Sequence, residues 1–138
     1  MTDKRTKVDM SGQSGTDFSK LFYETLDKKR HLVSNLYLET ASLIWNGNPY
    51  FGKENISKFY ETLPISSTDI RSVDAQPIAE SFVQGQTSIL VSVSGIVKFS
   101  GKSSTLYSES FLLTAQQGAT GNIWKIAADC FRFHETLS

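Results

Sequence analysis

The sequence predicts an α+β fold in which helices cover one face of a curved antiparallel sheet. Apolar residues recur every three or four positions as far as Pro64 and every second position thereafter, the spacings of an amphipathic helix and of a strand. Helices first and strands afterwards is the order of an α+β domain, not of alternating strand–helix units. A length of 138 residues fits one such domain, with residues 1–15 expected as a flexible N-terminal tail and 16–138 as the folded part.

Residues 1–15 combine Lys4, Arg5 and Lys7 with Gly12 and Gly15, too polar and glycine-rich to favour a helix. Phe18, Leu21, Phe22, Leu26, Leu32, Val33, Leu36 and Tyr37 then predict a helical stretch, N-capped by Asp17 and broken near Ser34 and Asn35. Asn46-Gly47, flanked by β-forming residues, predicts a tight hairpin. Ile56, Phe59, Tyr60 and Leu63 stand at i, i+3, i+4 and i+7, between Gly52 and Pro64, and predict another helix.

Strands are expected at 69–78, at 87–99, at 105–115 and at 122–133, the last two joined by a turn containing Gly118, Gly121 and Asn122. Thr87, Ile89, Val91, Val93, Val97 and Phe99 alternate with Ser88, Ser92, Ser94 and Lys98, while Leu90 and Ile96 interrupt the polar face. Strict alternation in the last strand sets Ile123, Ala127, Phe131 and Phe133 on one face. It sets Trp124, Ile126, Ala128 and Cys130 on the other, with Arg132 at the end. Both faces are apolar, yet helices can cover only one, so a second chain is expected on the other.

Fourteen basic and fourteen acidic residues cancel, and the isoelectric point is near 6.7. That leaves no long-range field for phosphate backbones, so nucleic-acid binding through bulk charge is excluded. One cysteine permits no internal disulfide, and two histidines with it are too few for a Cys/His zinc site; no cofactor is expected. No apolar run approaches the ~18 residues of a membrane span, and the N-terminus lacks the apolar core of a signal peptide. The chain reads as soluble, in a reducing intracellular compartment.

Catalysis would need Asp129 or Asp74 as a buried base and Tyr60 or Tyr107 as a donor, but no compact catalytic motif accompanies them. The basic run Lys28-Lys29-Arg30-His31 reads as a solvated helical face. His134 lacks ligand-spaced neighbours apart from Cys130, itself a packed small hydrophobe. Trp45 and Phe131 are the candidate cavity-lining side chains. Arg132 closes an apolar strand face and needs a carboxylate if it is covered, which points to an ion pair across an interface.

The strings LIWNGNPYFGKENISKFYETLP, DAQPI, SGIVKF, SFLLTAQ and IWKIAADCFRF resemble the nuclear transport factor 2-like fold. The resemblance covers residues 18–134 and is closer to the nuclear transport factor 2-related export proteins, small subunits of the heterodimeric messenger-RNA export receptor. It implies a bent antiparallel sheet with three helices packed on one face as a cone. It also implies a non-enzymatic adaptor that pairs through the exposed sheet face with the corresponding domain of the large subunit and shuttles through the nuclear pore between nucleus and cytoplasm. Arg132 then meets an aspartate of that subunit, and Cys130, Ala128, Ile126, Leu90 and Ser92 share the interface.

The alternatives are a homodimeric carrier of GDP-bound Ran and a cone-fold isomerase or dehydratase with Asp129 as base. Against Ran, Asn46 stands where the carrier has a glutamate, and Ser100, Gly101 and Lys102 replace its acidic loop. The tryptophan that opens the carrier's first helix and helps bind Phe-Gly nucleoporin repeats is missing before Phe18. The resemblance therefore implies repeat binding through the complex, with this chain supporting a site on its partner.

Overall fold

Alternation in the C-terminal half and helical spacing before it are both realised in a computed structural model of the chain, which describes residues 4–78, 88–118 and 121–134. Helix α1 (Lys4–Lys28) leads into a 3-10 helix (Arg30–Leu36). Strands β1 (Tyr37–Trp45) and β2 (Asn48–Phe51) follow, then α2 (Lys53–Glu61). The strands β3 (Ser66–Ile78), β4 (Ser88–Phe99), β5 (Thr105–Gly118) and β6 (Gly121–His134) complete the chain. They form one six-stranded open sheet in the order β2-β1-β6-β5-β4-β3, with the three helices against it. Thr87 and part of the turn expected after Gly118 lie outside the described residues.

The sheet is mixed, which corrects the expectation of an antiparallel one. β3 to β6 are a meander of antiparallel neighbours, but β1 docks beside the last strand of that meander and runs parallel to it. The β1–β2 hairpin turns at Asn46 (φ 50°) and Gly47 (φ 86°), the left-handed pair of a type I′ turn. Asn46 is also anchored: its Oδ1 accepts the Phe133 N–H at 2.9 Å and its own N–H donates to the Phe131 carbonyl at 2.9 Å.

Helix α1 begins at Lys4, so it runs through much of the segment read as a tail, and Asp17 lies inside it, accepting from Gln13 Nε2 at 2.9 Å. Gly15 is the reason a glycine suits this helix. A Cβ there would stand 2.6 Å from Ala75 Cβ and 3.3 Å from Val91 Cγ2, so its absence lets α1 press on β3 and β4. The helical stretch breaks at Lys29 (φ −137°, ψ 52°), ahead of the expected Ser34 and Asn35.

Phe18, Phe22, Tyr23 and Leu26 form the buried stripe of α1, and Ile56 and Tyr60 that of α2. They meet the inward residues Ile89, Val91, Val93, Val97 and Phe99 of β4 and Tyr107, Phe111 and Leu113 of β5. Phe22 and Phe111 pack edge-on with centroids 4.8 Å apart, a pair worth about 0.5–1.5 kcal/mol beyond its buried area. Arg30 ties the helices together. Its guanidinium donates to the carbonyls of Leu26, Leu63 and Pro64 at 2.8, 3.0 and 2.8 Å, so it is no part of a solvated basic face.

One irregularity decides which residues of β6 face outward. Leu112 pairs with Ala128 but Leu113 with Ile126, so Ala127 is an extra residue, a β-bulge. A one-residue slip exchanges the two faces of a strand. Ile126 is consequently fully buried in the core, which removes it from the outer face that strict alternation assigned to it, and Trp124 likewise packs against the core cluster.

Candidate functional site

Beyond the bulge, β6 alternates regularly. Asp129 and Phe131 point inward, and Cys130 and Arg132 are exposed on the side away from the helices, with Ala128 half-buried between Ser42 and Leu112. The register carries two rows across this outer face. One runs Asp74, Ser92, Ser110, Cys130, Ile44, and the next Ser72, Ser94, Ser108, Arg132. Ser92, Ser94, Ser108, Ser110 and Cys130 therefore make the middle of this face a stretch of small side chains. Leu90 at 39% exposure, Leu106 at 50% and Ile44 at 40% border it with apolar surface.

Of the residues read as an interface, the structure brings Arg132, Cys130, Ala128, Leu90 and Ser92 to this one face. Ile44, Leu106 and Ser110 belong to it as well and were missed. Period two in TLYSESF places Leu106, Ser108 and Ser110 in phase, a signal that could have found the latter two. Arg132 stands opposite Ser108, whose hydroxyl lies 2.9 Å from His134 Nε2. Among the described residues no carboxylate forms an ion pair with Arg132. A guanidinium so placed has the donor geometry for bidentate pairing with a carboxylate.

Asp129 lies inside. At 3% exposure it accepts the Tyr37 hydroxyl at 2.5 Å, and the Tyr37 and Tyr60 hydroxyls lie 2.6 Å apart. Glu109, which sequence reasoning passed over although it sits between Tyr107 and Phe111 in the apolar phase of β5, is 2% exposed and accepts the Tyr23 hydroxyl at 2.8 Å. Burial pushes the Asp129 carboxyl up to about 6. Burial and then the neighbouring Asp129 charge hold Glu109 well above the usual carboxyl range. Burial likewise raises Tyr23, Tyr37 and Tyr60 well above an ordinary phenol. Asp74 is exposed on β3, away from these groups.

Trp45 and Phe131, expected to line a cavity, are buried among the aromatic residues of the core. Their rings stack at 3.9 Å and 5° in the core, and Phe131 stacks in turn on Tyr107 at 5.4 Å. Aromatic volume from β1, β5 and β6 fills the interior of the cone. A cleft of about 280 Å³ lies instead between α1 and the start of β6, walled by Phe18, Leu21, Leu36 and Trp124.

The nuclear transport factor 2 (NTF2) domain profile matches residues 14–133. The chain is 45% identical over 134 residues to NTF2-related export protein 2 of Mus musculus, covering 97% of this chain and 94% of that protein. Among solved structures, nuclear transport factor 2 from Cryptosporidium parvum superposes with a TM-score of 0.74 at 23% identity, covering 93% of this chain and 95% of the other. The C. albicans Mtr2-Mex67 M domain complex contains a chain with a TM-score of 0.65 at 17% identity, covering 94% and 99%. With the profile spanning nearly all of its helices and sheet and the mouse relative aligned over almost its full length, the chain belongs to the nuclear transport factor 2 (NTF2) domain family.

Proposed function

We propose that this protein is a non-enzymatic adaptor that pairs through the outer face of its sheet with the NTF2-like domain of a large messenger-RNA export receptor. The observation that carries the reading is the outer face itself, a stretch of small side chains edged by Leu90, Leu106 and Ile44 with Arg132 set in it. Exposed apolar surface of this kind is characteristic of a protein interface. An aspartate or glutamate of the partner opposite Arg132 fixes its register. The export proteins among its relatives and the two-chain Mtr2-Mex67 assembly support the same reading.

Burial of the shared face stabilises the partner's domain. That domain's weak, reversible contacts with Phe-Gly repeats then carry the complex and its messenger RNA through the pore, the adaptor shuttling between nucleus and cytoplasm. The interior acids serve structure in this reading, since Trp45, Phe131 and the tyrosines enclose them. Light scattering of the full chain mixed with the receptor's NTF2-like domain tests it. A one-to-one complex that Arg132→Asp weakens by at least tenfold is expected. A homodimer indifferent to that domain would overturn the proposal.

A further inference from the structure

Glu109 on β5 and Asp129 on β6 are diagonal neighbours on the inner face, Glu109 opposite Phe131 and Asp129 opposite Phe111. A diagonal pair is within reach of a long side chain. Each carboxyl takes one hydroxyl, Asp129 Oδ2 that of Tyr37 and Glu109 Oε1 that of Tyr23. The remaining oxygens, Glu109 Oε2 and Asp129 Oδ1, are buried and receive no donor as carboxylates. Among the described residues no salt bridge reaches either carboxyl: Arg30 spends its donors on backbone carbonyls and Ser66, and its field reaches Tyr60. Among the described residues no group of three or more His, Cys, Asp or Glu is placed to hold a metal ion.

Two adjacent ionised carboxylates in such a site repel each other and each lose solvation. One proton removes both difficulties, because a neutral Glu109 donates from Oε2 to Asp129 Oδ1 and leaves a single charge held by two donors. We propose that Glu109 and Asp129 fold as a carboxyl–carboxylate pair sharing one proton, so that the fold takes up a proton as it forms and loosens when that proton is lost. Every layer feels the change, since the pair is bonded to α1 through Tyr23, to β1 through Tyr37 and onward to α2 through Tyr60.

The other titratable groups facing the cluster leave the pair as the one that responds near neutrality. Tyr23, Tyr37, Tyr60 and Tyr107 are all held neutral well into alkali by burial. Asp27 and Asp69 act on Tyr107, and Cys130 adds only a minor repulsion at Glu109. Carboxyls raised by folding contribute fully below the unfolded range of about 4 to 4.5, and their contribution is lost as pH rises through the folded values.

Urea unfolding of the full chain between about pH 7 and 9, above the pH at which Asp129 ionises, tests the proposal, with an expected limiting slope near one proton, about tenfold in the unfolding constant per pH unit. Glu109→Gln, whose amide donates to Asp129 without a titrating proton, should flatten that dependence. A flat wild-type profile, or an undiminished slope in Glu109→Gln, overturns the pair. Should that variant not fold, infrared spectra of the wild-type chain at neutral pH decide it. A protonated-carboxyl band is expected, and its absence overturns the proposal.

Discussion

Gly15 of α1 and Ala75 of β3 stand so close that a Cβ on Gly15 would lie 2.6 Å from the Ala75 Cβ. Neither that methyl nor Val91 beside it is a flexible chain end that could swing away. Gly15→Ala gains about 1 kcal/mol of helix propensity and incurs about 1–3 kcal/mol of overpacking, so it should destabilise the fold on balance. Gly12→Ala, with nothing within 4 Å of the added Cβ, should stabilise by about 0.5–1 kcal/mol. Opposite signs in urea unfolding are the expected outcome. Equal shifts would mean that α1 does not press on the sheet at Gly15.

Tyr37→Phe removes the hydroxyl that meets Asp129 Oδ2 at 2.5 Å and leaves the Tyr60 hydroxyl without its partner. A buried acceptor stripped of its donor costs about 1–3 kcal/mol. The anionic form of Asp129 loses the most, so its pKa should climb beyond about 6, and the pH at which stability falls should move upward with it. Denaturation at a series of pH values checks both effects. Unchanged stability and an unmoved profile would show that the Tyr37–Asp129 bond contributes nothing.

Arg30→Lys should fail as a conservative change. The planar guanidinium reaches Leu26, Leu63 and Pro64 carbonyls and the Ser66 hydroxyl at 2.8, 3.0, 2.8 and 3.0 Å, a divergent set that an ammonium on a single stem cannot span. Loss of two charge-assisted bonds at a half-buried site predicts about 2 kcal/mol of destabilisation. A thermal melt of the Lys variant within a degree or two of wild type would contradict this.

These sites differ in how far the sequence reveals them. α2 was legible because Ile56, Phe59, Tyr60 and Leu63 repeat within a single helix, and the hairpin because Asn46-Gly47 supplies its own left-handed turn. The faces of β4 followed from alternation alone. By contrast, no glycine or proline marks the bulge at Ala127, so the alternation read through it set Ile126 on the wrong face. The parallel β1–β6 pairing is a contact between the two ends of the fold and leaves no local trace. Gly15 looked like a helix breaker because its reason, a methyl on β3, is distant in sequence. Arg30 could not be found from residue types, since most of its partners are backbone carbonyls. Asp129 enters the sequence reading only as a base that catalysis would need, and its burial beside Glu109, readable between Tyr107 and Phe111, is what makes the two acids a pair.

The bulge also separates folding from association on one strand. Ile126 is fully buried, so Ile126→Ala should cost about 2–5 kcal/mol of stability through lost burial and a residual cavity. Cys130 is exposed on the outer face, so Cys130→Lys should change stability by no more than about 0.5 kcal/mol. In the proposed complex that lysine would stand buried against the partner beside Arg132, and a second unpaired cation there should weaken association by tenfold or more. Denaturation and a binding titration with the receptor's NTF2-like domain, run on both variants, check the division. A Cys130→Lys chain that binds as wild type would remove the centre of β6 from the interface, whereas one that also unfolds would mean that Cys130 belongs to the core.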